Sequence, residues 1–209
     1  MRRGLFITFE GIEGVGKSTQ LRLAADHLAG LGREVVVTRE PGGTPLAERI
    51  RWLVLDPDGE PVPPNAELCL MFAARAVHTE NLIKPALDRG ACVLCDRYTD
   101  ATHAYQGGGR GVSSSDITLL ADLGGLGLTP DLTILLDAEV PAALERVRQR
   151  GGRSDRFEQE ALPFFERVRE CYLTRAAAEP ARVRVVEATR PIDVVAAEIR
   201  AILATRGLA

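Results

Sequence analysis

The densest chemistry in the chain lies at Gly11-Ile12-Glu13-Gly14-Val15-Gly16-Lys17-Ser18-Thr19. Glycines, a lysine and a hydroxyl at this spacing, between an apolar run and a helical pattern, meet the requirement of a phosphate-binding loop, G-x-x-x-x-G-K-[ST]. The glycines let backbone N–H groups turn inward around phosphate oxygens, and the helix that follows offers its positive end. Lys17 reaches the β- and γ-phosphates of a nucleoside triphosphate, and the Ser18 hydroxyl helps to hold Mg²⁺. Residues 11–19 are therefore the ATP-binding candidates, with Lys17 also catalytic. Among 26 basic residues only Lys17 and Lys84 are lysines. In so Arg-rich a chain, a lysine here indicates that a compact ammonium fits where a planar guanidinium does not.

Such a loop needs a strand before it and a helix after it, and the pattern supplies both. Leu5–Glu10, Glu34–Arg39, Ala91–Asp96, Asp131–Asp137 and Arg182–Glu187 read as five strands, apolar on both faces. Helical stretches are predicted at Ser18–Ala29, Leu46–Leu55, Ala66–Asp88, Ser114–Leu123, Pro141–Arg150, Gln159–Ala178 and Ile192–Ala204, and loops at Asp56–Pro64, Gln106–Gly111 and Arg150–Arg156. This alternation predicts an α/β fold: a doubly wound, five-stranded parallel sheet flanked by helices, with ligands at the carboxyl ends of the strands. Residues 1–209 read as a single domain without repeats.

Composition narrows the function. A net charge of −3 with 26% charged residues gives no general basic field, so nucleic acid is not an expected partner. No run approaches a membrane span, and the first apolar run meets Glu10 too soon for a signal peptide, so the cytoplasm is the expected compartment. Cys92 and Cys95 form a C-x-x-C, but on a buried strand residues three apart face opposite sides, which speaks against a redox or zinc pair. Neither N-K-x-D nor T-K-x-D occurs, which disfavours a guanine-specific switch. Two strands end in Asp (Asp96, Asp137) without the second acid of a typical motor ATPase. A small-molecule kinase remains the expectation; a non-catalytic nucleotide-binding module is the alternative from another class.

Several further blocks then become specific: Thr38-Arg39-Glu40-Pro41-Gly42-Gly43-Thr44, Leu70-Met71-Phe72-Ala73-Ala74-Arg75, Asp96-Arg97-Tyr98, Ala104-Tyr105-Gln106-Gly107-Gly108-Gly109-Arg110-Gly111 and Asp155-Arg156-Phe157-Glu158. In this order, nearly end to end, the chain resembles the bacterial thymidylate kinases. The resemblance implies transfer of the ATP γ-phosphoryl group to dTMP with Mg²⁺, and a homodimer; a deoxynucleoside kinase is the alternative within enzymes. It implies that Arg97 and Arg39 hold the acceptor phosphate, that Asp96 orders the metal beside Ser18, and that Arg146 stacks on adenine. It implies that Phe72 stacks on thymine, that Arg75 donates to O4, and that Thr102, Tyr105 and Gln106 line the acceptor pocket. Ala101 stands where many relatives have Ser, so the resemblance implies one hydrogen bond that is either missing here or mediated by water. The resemblance further implies that Glu13, facing outward from the loop, accepts from the acceptor's 3′-hydroxyl. The loop itself carries no extra cation at Ile12, Glu13 or Val15, so a short Arg-rich lid at about 148–158 must supply it. The candidates there are Arg150, Arg153 and Arg156, with Arg156 first by its match to the family.

Overall fold

Five parallel strands form one sheet in the order β2-β3-β1-β4-β5. They are β1 (Phe6–Glu10), β2 (Val35–Arg39), β3 (Cys92–Asp96), β4 (Leu132–Asp137) and β5 (Val183–Glu187). The computed structural model describes residues 3–123, 127–151 and 155–208. β1 sits at the centre, with Phe9 level with Asp96 of β3 and Ile134 of β4. From β1 the chain crosses to β2 and β3 on one side, then from β3 over β1 to β4 on the other. That reversal opens a crevice at the carboxyl ends of β1 and β3, where open α/β sheets bind ligands.

All five predicted strands form. The expectation that all are covered on both faces holds for the three central strands only: Val37 of β2 and Val185 of β5 are exposed, because an edge strand has a neighbour on one side. Cys92 and Cys95 are buried in two different hydrophobic clusters, as opposite faces of β3 require, and both are free thiols.

The helices are α1 (Lys17–Gly30), α2 (Pro45–Leu55), α3 (Pro64–His78), α4 (Lys84–Asp88), α5 (Thr99–Thr102), α6 (Ser114–Asp122), α7 (Val140–Arg150), α8 (Leu162–Ala178) and α9 (Ile192–Ala204). The predicted helix over Ala66–Asp88 is divided: a widened π turn at Thr79–Ile83 separates α3 from α4. Pro85 has no N–H to donate to Asn81, so the regular ladder cannot run through. Gln106–Gly111, predicted as a loop, instead continues α5 as a π turn over His103–Gly109 packed against α8, where a Cβ at Gly109 would meet the Phe164 ring. α8 begins later than predicted, since Asp155 Oδ1 accepts the N–H groups of Phe157 and Glu158, both at 2.9 Å, and holds a turn there.

Candidate active site

Leaving β1, the chain turns through Gly11 (φ 129°) and Gly14 (φ 78°), conformations that side chains rarely adopt. A Cβ at Gly14 would also strike the Ala143 carbonyl. α1 then starts at Lys17, whose Nζ donates to the carbonyls of Gly11 (3.0 Å) and Ile12 (2.7 Å). Burial and, next, the neighbouring Arg97 charge push the Lys17 ammonium down to about 8. Ser18 Oγ donates to Asp96 Oδ2 at 3.2 Å, while Asp96 Oδ1 is buried without a partner.

Arg97 stands at the end of β3 with φ 71°, the one non-glycine residue of positive φ among the described residues. Its N–H returns to the Phe9 carbonyl at 3.0 Å, which ties the turn to β1. Its guanidinium lies 4.5 Å from the Tyr105 ring centre and donates to Glu13 Oε1 (2.8 Å) and the Tyr172 hydroxyl (3.3 Å). The Tyr172 hydroxyl in turn donates to Glu10 Oε2 at 2.7 Å, and Glu10 Oε1 accepts the Tyr98 N–H at 2.7 Å. Burial, reinforced by Asp100, pushes the Glu10 carboxyl up to about 8.

A cavity of about 400 Å³ at this end is lined by Lys17, Arg39, Arg51, Arg97 and Arg150, with Glu13, Glu40, Asp96 and Asp155 among them. Lys17 and Arg97 repel each other there, an arrangement that favours a polyanion. Arg39 stands at the rim, half exposed, 3.0 Å from Glu48. Arg51 donates to the Pro41 carbonyl at 2.9 Å and faces both this cavity and its neighbour.

The neighbouring cavity is lined by Arg75, Thr102, Tyr105 and Gln106, together with Pro41, Leu55, Met71, Ala101 and Phe157. Arg75 Nε donates to Glu40 Oε2 (2.7 Å), and Nη2 to Thr102 Oγ1 (2.9 Å) and the Tyr98 carbonyl (3.2 Å). Its Nη1 is buried with no partner. Glu40 Oε1 lies 3.0 Å from His78 Nδ1, and His78 Nε2 lies 2.7 Å from Thr38 Oγ1. Glu13 sits where the two cavities meet, its Oε2 accepting from the Tyr105 hydroxyl at 2.7 Å.

Some expected residues lie elsewhere. Phe72 does not line the second cavity; it packs with Leu68 and Ile117 under the Arg75 guanidinium. Met71, four residues before Arg75 and so one helical turn away, occupies the wall instead. Arg156 does not reach the phosphate cavity: its side chain is taken up by Glu67 and by the Val54 carbonyl. Arg150 is the described lid arginine on that cavity, 2.5 Å from Glu158. Arg153 lies outside the described residues. Arg146 donates to the Ala188 carbonyl at 3.1 Å and lines neither cavity. Sequence reasoning missed Arg51, Met71, Glu10, Glu40 and Tyr172. Glu40 and Met71 stood in blocks that carry the resemblance, and Arg51 left a weaker signal, three residues after Glu48 on a helix that follows Arg39.

A parallel α/β sheet with a phosphate loop behind its central strand, and a second cavity opening beside that loop, defines a P-loop nucleotide kinase. Residues 9–199 match the family model described as thymidylate kinase. A curated thymidylate kinase from Chromohalobacter salexigens is 56% identical over 207 residues, covering 99% of this chain and 98% of that protein. One from Ectopseudomonas mendocina is 54% identical over 200 residues, covering 96% and 95%. The crystal structure of thymidylate kinase from Ehrlichia chaffeensis superimposes with a TM-score of 0.79 at 33% identity, covering 96% of this chain and 99% of that one. The chain belongs to the thymidylate kinase family.

Proposed function

We propose that the chain transfers the γ-phosphoryl group of ATP to dTMP, giving dTDP and ADP. One observation carries the reading: Lys17, Arg97 and Arg150 line a cavity that shares Glu13, Glu40, Arg51, Arg97 and Asp155 with a second one, and the second is lined by Arg75, which keeps one buried guanidinium nitrogen without a partner. A phosphate oxygen of dTMP, already anionic at neutral pH, attacks the γ-phosphorus in line as the bond to the ADP oxygen breaks, so no strong general base is required. Lys17 and Arg97 hold donor and acceptor phosphates end to end, and Arg150 neutralises charge on the moving group. Arg153 and Arg156 are the other lid arginines considered for that role; the position of Arg150 favours it.

Arg75 Nη1 donates to thymine O4. Cytosine would present an amino group there, and an unmet buried donor costs about 1–3 kcal/mol. Met71 and Leu55 give the base an apolar wall, with Phe72 supporting Arg75 from behind. Thr102, Tyr105 and Gln106 complete the acceptor pocket, Glu13 takes the 3′-hydroxyl, Arg39 approaches the acceptor phosphate from the rim, and Arg146 meets the adenine.

Ser18 and Asp96 offer a hydroxyl and a carboxylate with one orphaned oxygen, a donor set that suits Mg²⁺. Among the described residues no group of three or more acidic, His or Cys side chains is suited to a metal ion, in keeping with an ion bound chiefly through substrate phosphates. Such an ion supplies charge neutralisation to the β- and γ-phosphates. A homodimer is supported by exposed Leu46 and Leu53 on α2 and Leu119 on α6, helices that flank α3. The cytoplasm is the proposed compartment, supported by four free thiols. No helix among the described residues is long and apolar enough to cross a membrane.

An ADP-release assay across dTMP, dUMP, dCMP, UMP and thymidine tests the reading. Preference for dTMP is expected. Turnover of thymidine but not dTMP would make the chain a nucleoside kinase, and ATP binding without transfer to any acceptor would make it a binding module.

A further inference from the structure

Glu67, in the first turn of α3, is fully buried and lines neither cavity. A carboxylate so enclosed needs compensating donors. Two separate segments provide them: Gln106 Nε2 donates to its Oε1 at 2.7 Å, Arg110 Nε lies 3.5 Å from Oε2, and Arg156 Nη2 donates to the same oxygen. Arg110 Nη1 also holds Glu160 Oε1 at 2.5 Å, so two arginines and two carboxylates balance. Both guanidiniums lie over the Phe157 ring, 5.4 and 5.0 Å from its centre. Arg156 is pinned to the end of α2 as well, its N–H donating to the Leu55 carbonyl at 3.2 Å and its Nε to Val54 at 2.9 Å.

We infer that Glu67 is a positioning residue: it fastens the Arg156–Glu160 segment to α3 and so sets Phe157 on the wall of the acceptor cavity that Met71 and Arg75 also line. The inference rests on the dTMP kinase reading. Phe157 lies in a turn rather than a helix, and the Asp155 bonds that shape the turn close within the turn itself. What ties the turn to the acceptor helix is the pair of guanidiniums held by Glu67. Without the charge at 67, Arg110 and Arg156 repel each other across the ring and only Arg110 keeps a carboxylate, Glu160; an amide there can still accept from Gln106, but its NH2 then faces the guanidiniums, donor against donor. The phosphate loop has no part in this cluster, so the effect falls on the acceptor.

Steady-state kinetics of Glu67→Gln, Arg156→Met and the double variant test this. Each single variant is expected to raise KM for dTMP by about tenfold or more, while kcat and KM for ATP stay within about threefold. The double variant is expected to do no worse than the worse single, since both cut one tie. Glu67→Asp, which keeps the charge, should recover part of the loss. An unchanged dTMP KM in folded Glu67→Gln, or losses that multiply in the double variant, would overturn the inference. So would a fall in kcat beyond about a hundredfold at constant KM in Arg156→Met, which would give that arginine the transfer role. If Glu67→Gln does not fold, Arg156→Met, which leaves Glu67 with Arg110 and Gln106, decides alone. A wild-type protein inactive on dTMP would sink the kinase reading instead.

Discussion

At the phosphate end of the cleft, residues 11–18 form one uninterrupted loop with helix-start N–H groups, and Lys17 rests on the loop's own carbonyls. At the acceptor end the wall is gathered from stretches scattered between Glu13 and Phe157, and its polar side chains are held in place by other buried side chains. Neutralising a polyphosphate is a generic task that backbone and a few mobile cations perform, so a short local motif suffices. Telling one base from another needs donors that face the ligand and nothing else. Arg75 shows the arrangement: Glu40, Thr102 and the Tyr98 carbonyl occupy two of its nitrogens and leave the third open.

If that division is right, damage at the two ends should differ in kind. Arg150→Ala should lower kcat about 10³-fold or more with little change in KM for dTMP; a loss confined to KM would move Arg150 to the acceptor end. Arg75→Met leaves Glu40 buried without its cation, and breaking such a pair costs about 3–5 kcal/mol. A lower Tm and a lost preference for dTMP over dCMP are expected; preference retained at lowered Tm would leave the base to another donor. Glu13→Gln, at the junction, should weaken dTMP by about tenfold yet leave 3′-deoxy-dTMP little affected, and equal losses on both would refute the sugar contact.

The smallest effect concerns protons. A lysine held down to about 8 is charged below that pH and neutral above it, so ATP affinity should fall as pH rises through this window. Bound phosphates restore the charge, so ATP binding at about pH 8.5 should take up a proton. Calorimetry in buffers of different ionisation enthalpy measures this, and an absence of buffer dependence would remove Lys17 from the polyphosphate.

The same contrast explains how much could be read from the chain in advance. The five strands and the phosphate loop were legible because apolar runs and glycine spacing are local signals. Asp96 and Arg97 were legible because a strand end names its own location. Which face of α3 meets the cavity was not legible: Met71 lines it while Phe72 packs with Leu68 and Ile117, a choice set by the helix's neighbours. Glu40 stands inside a block that carries the family resemblance, yet nothing in that block marks it as buried, and Glu67 carries no mark at all. A glutamate on a helix or after a strand usually meets water, and only the packed chain shows that these two do not.

The left-handed backbone at Arg97 has one more consequence. A side chain held there stores roughly 1–3 kcal/mol of strain that glycine would not, yet glycine would take away the guanidinium between Glu13 and Tyr172. Relief of the backbone and loss of the ion pair with Glu13 thus pull in opposite directions at a single position, and the turn keeps its strained residue because the phosphate grip needs the side chain.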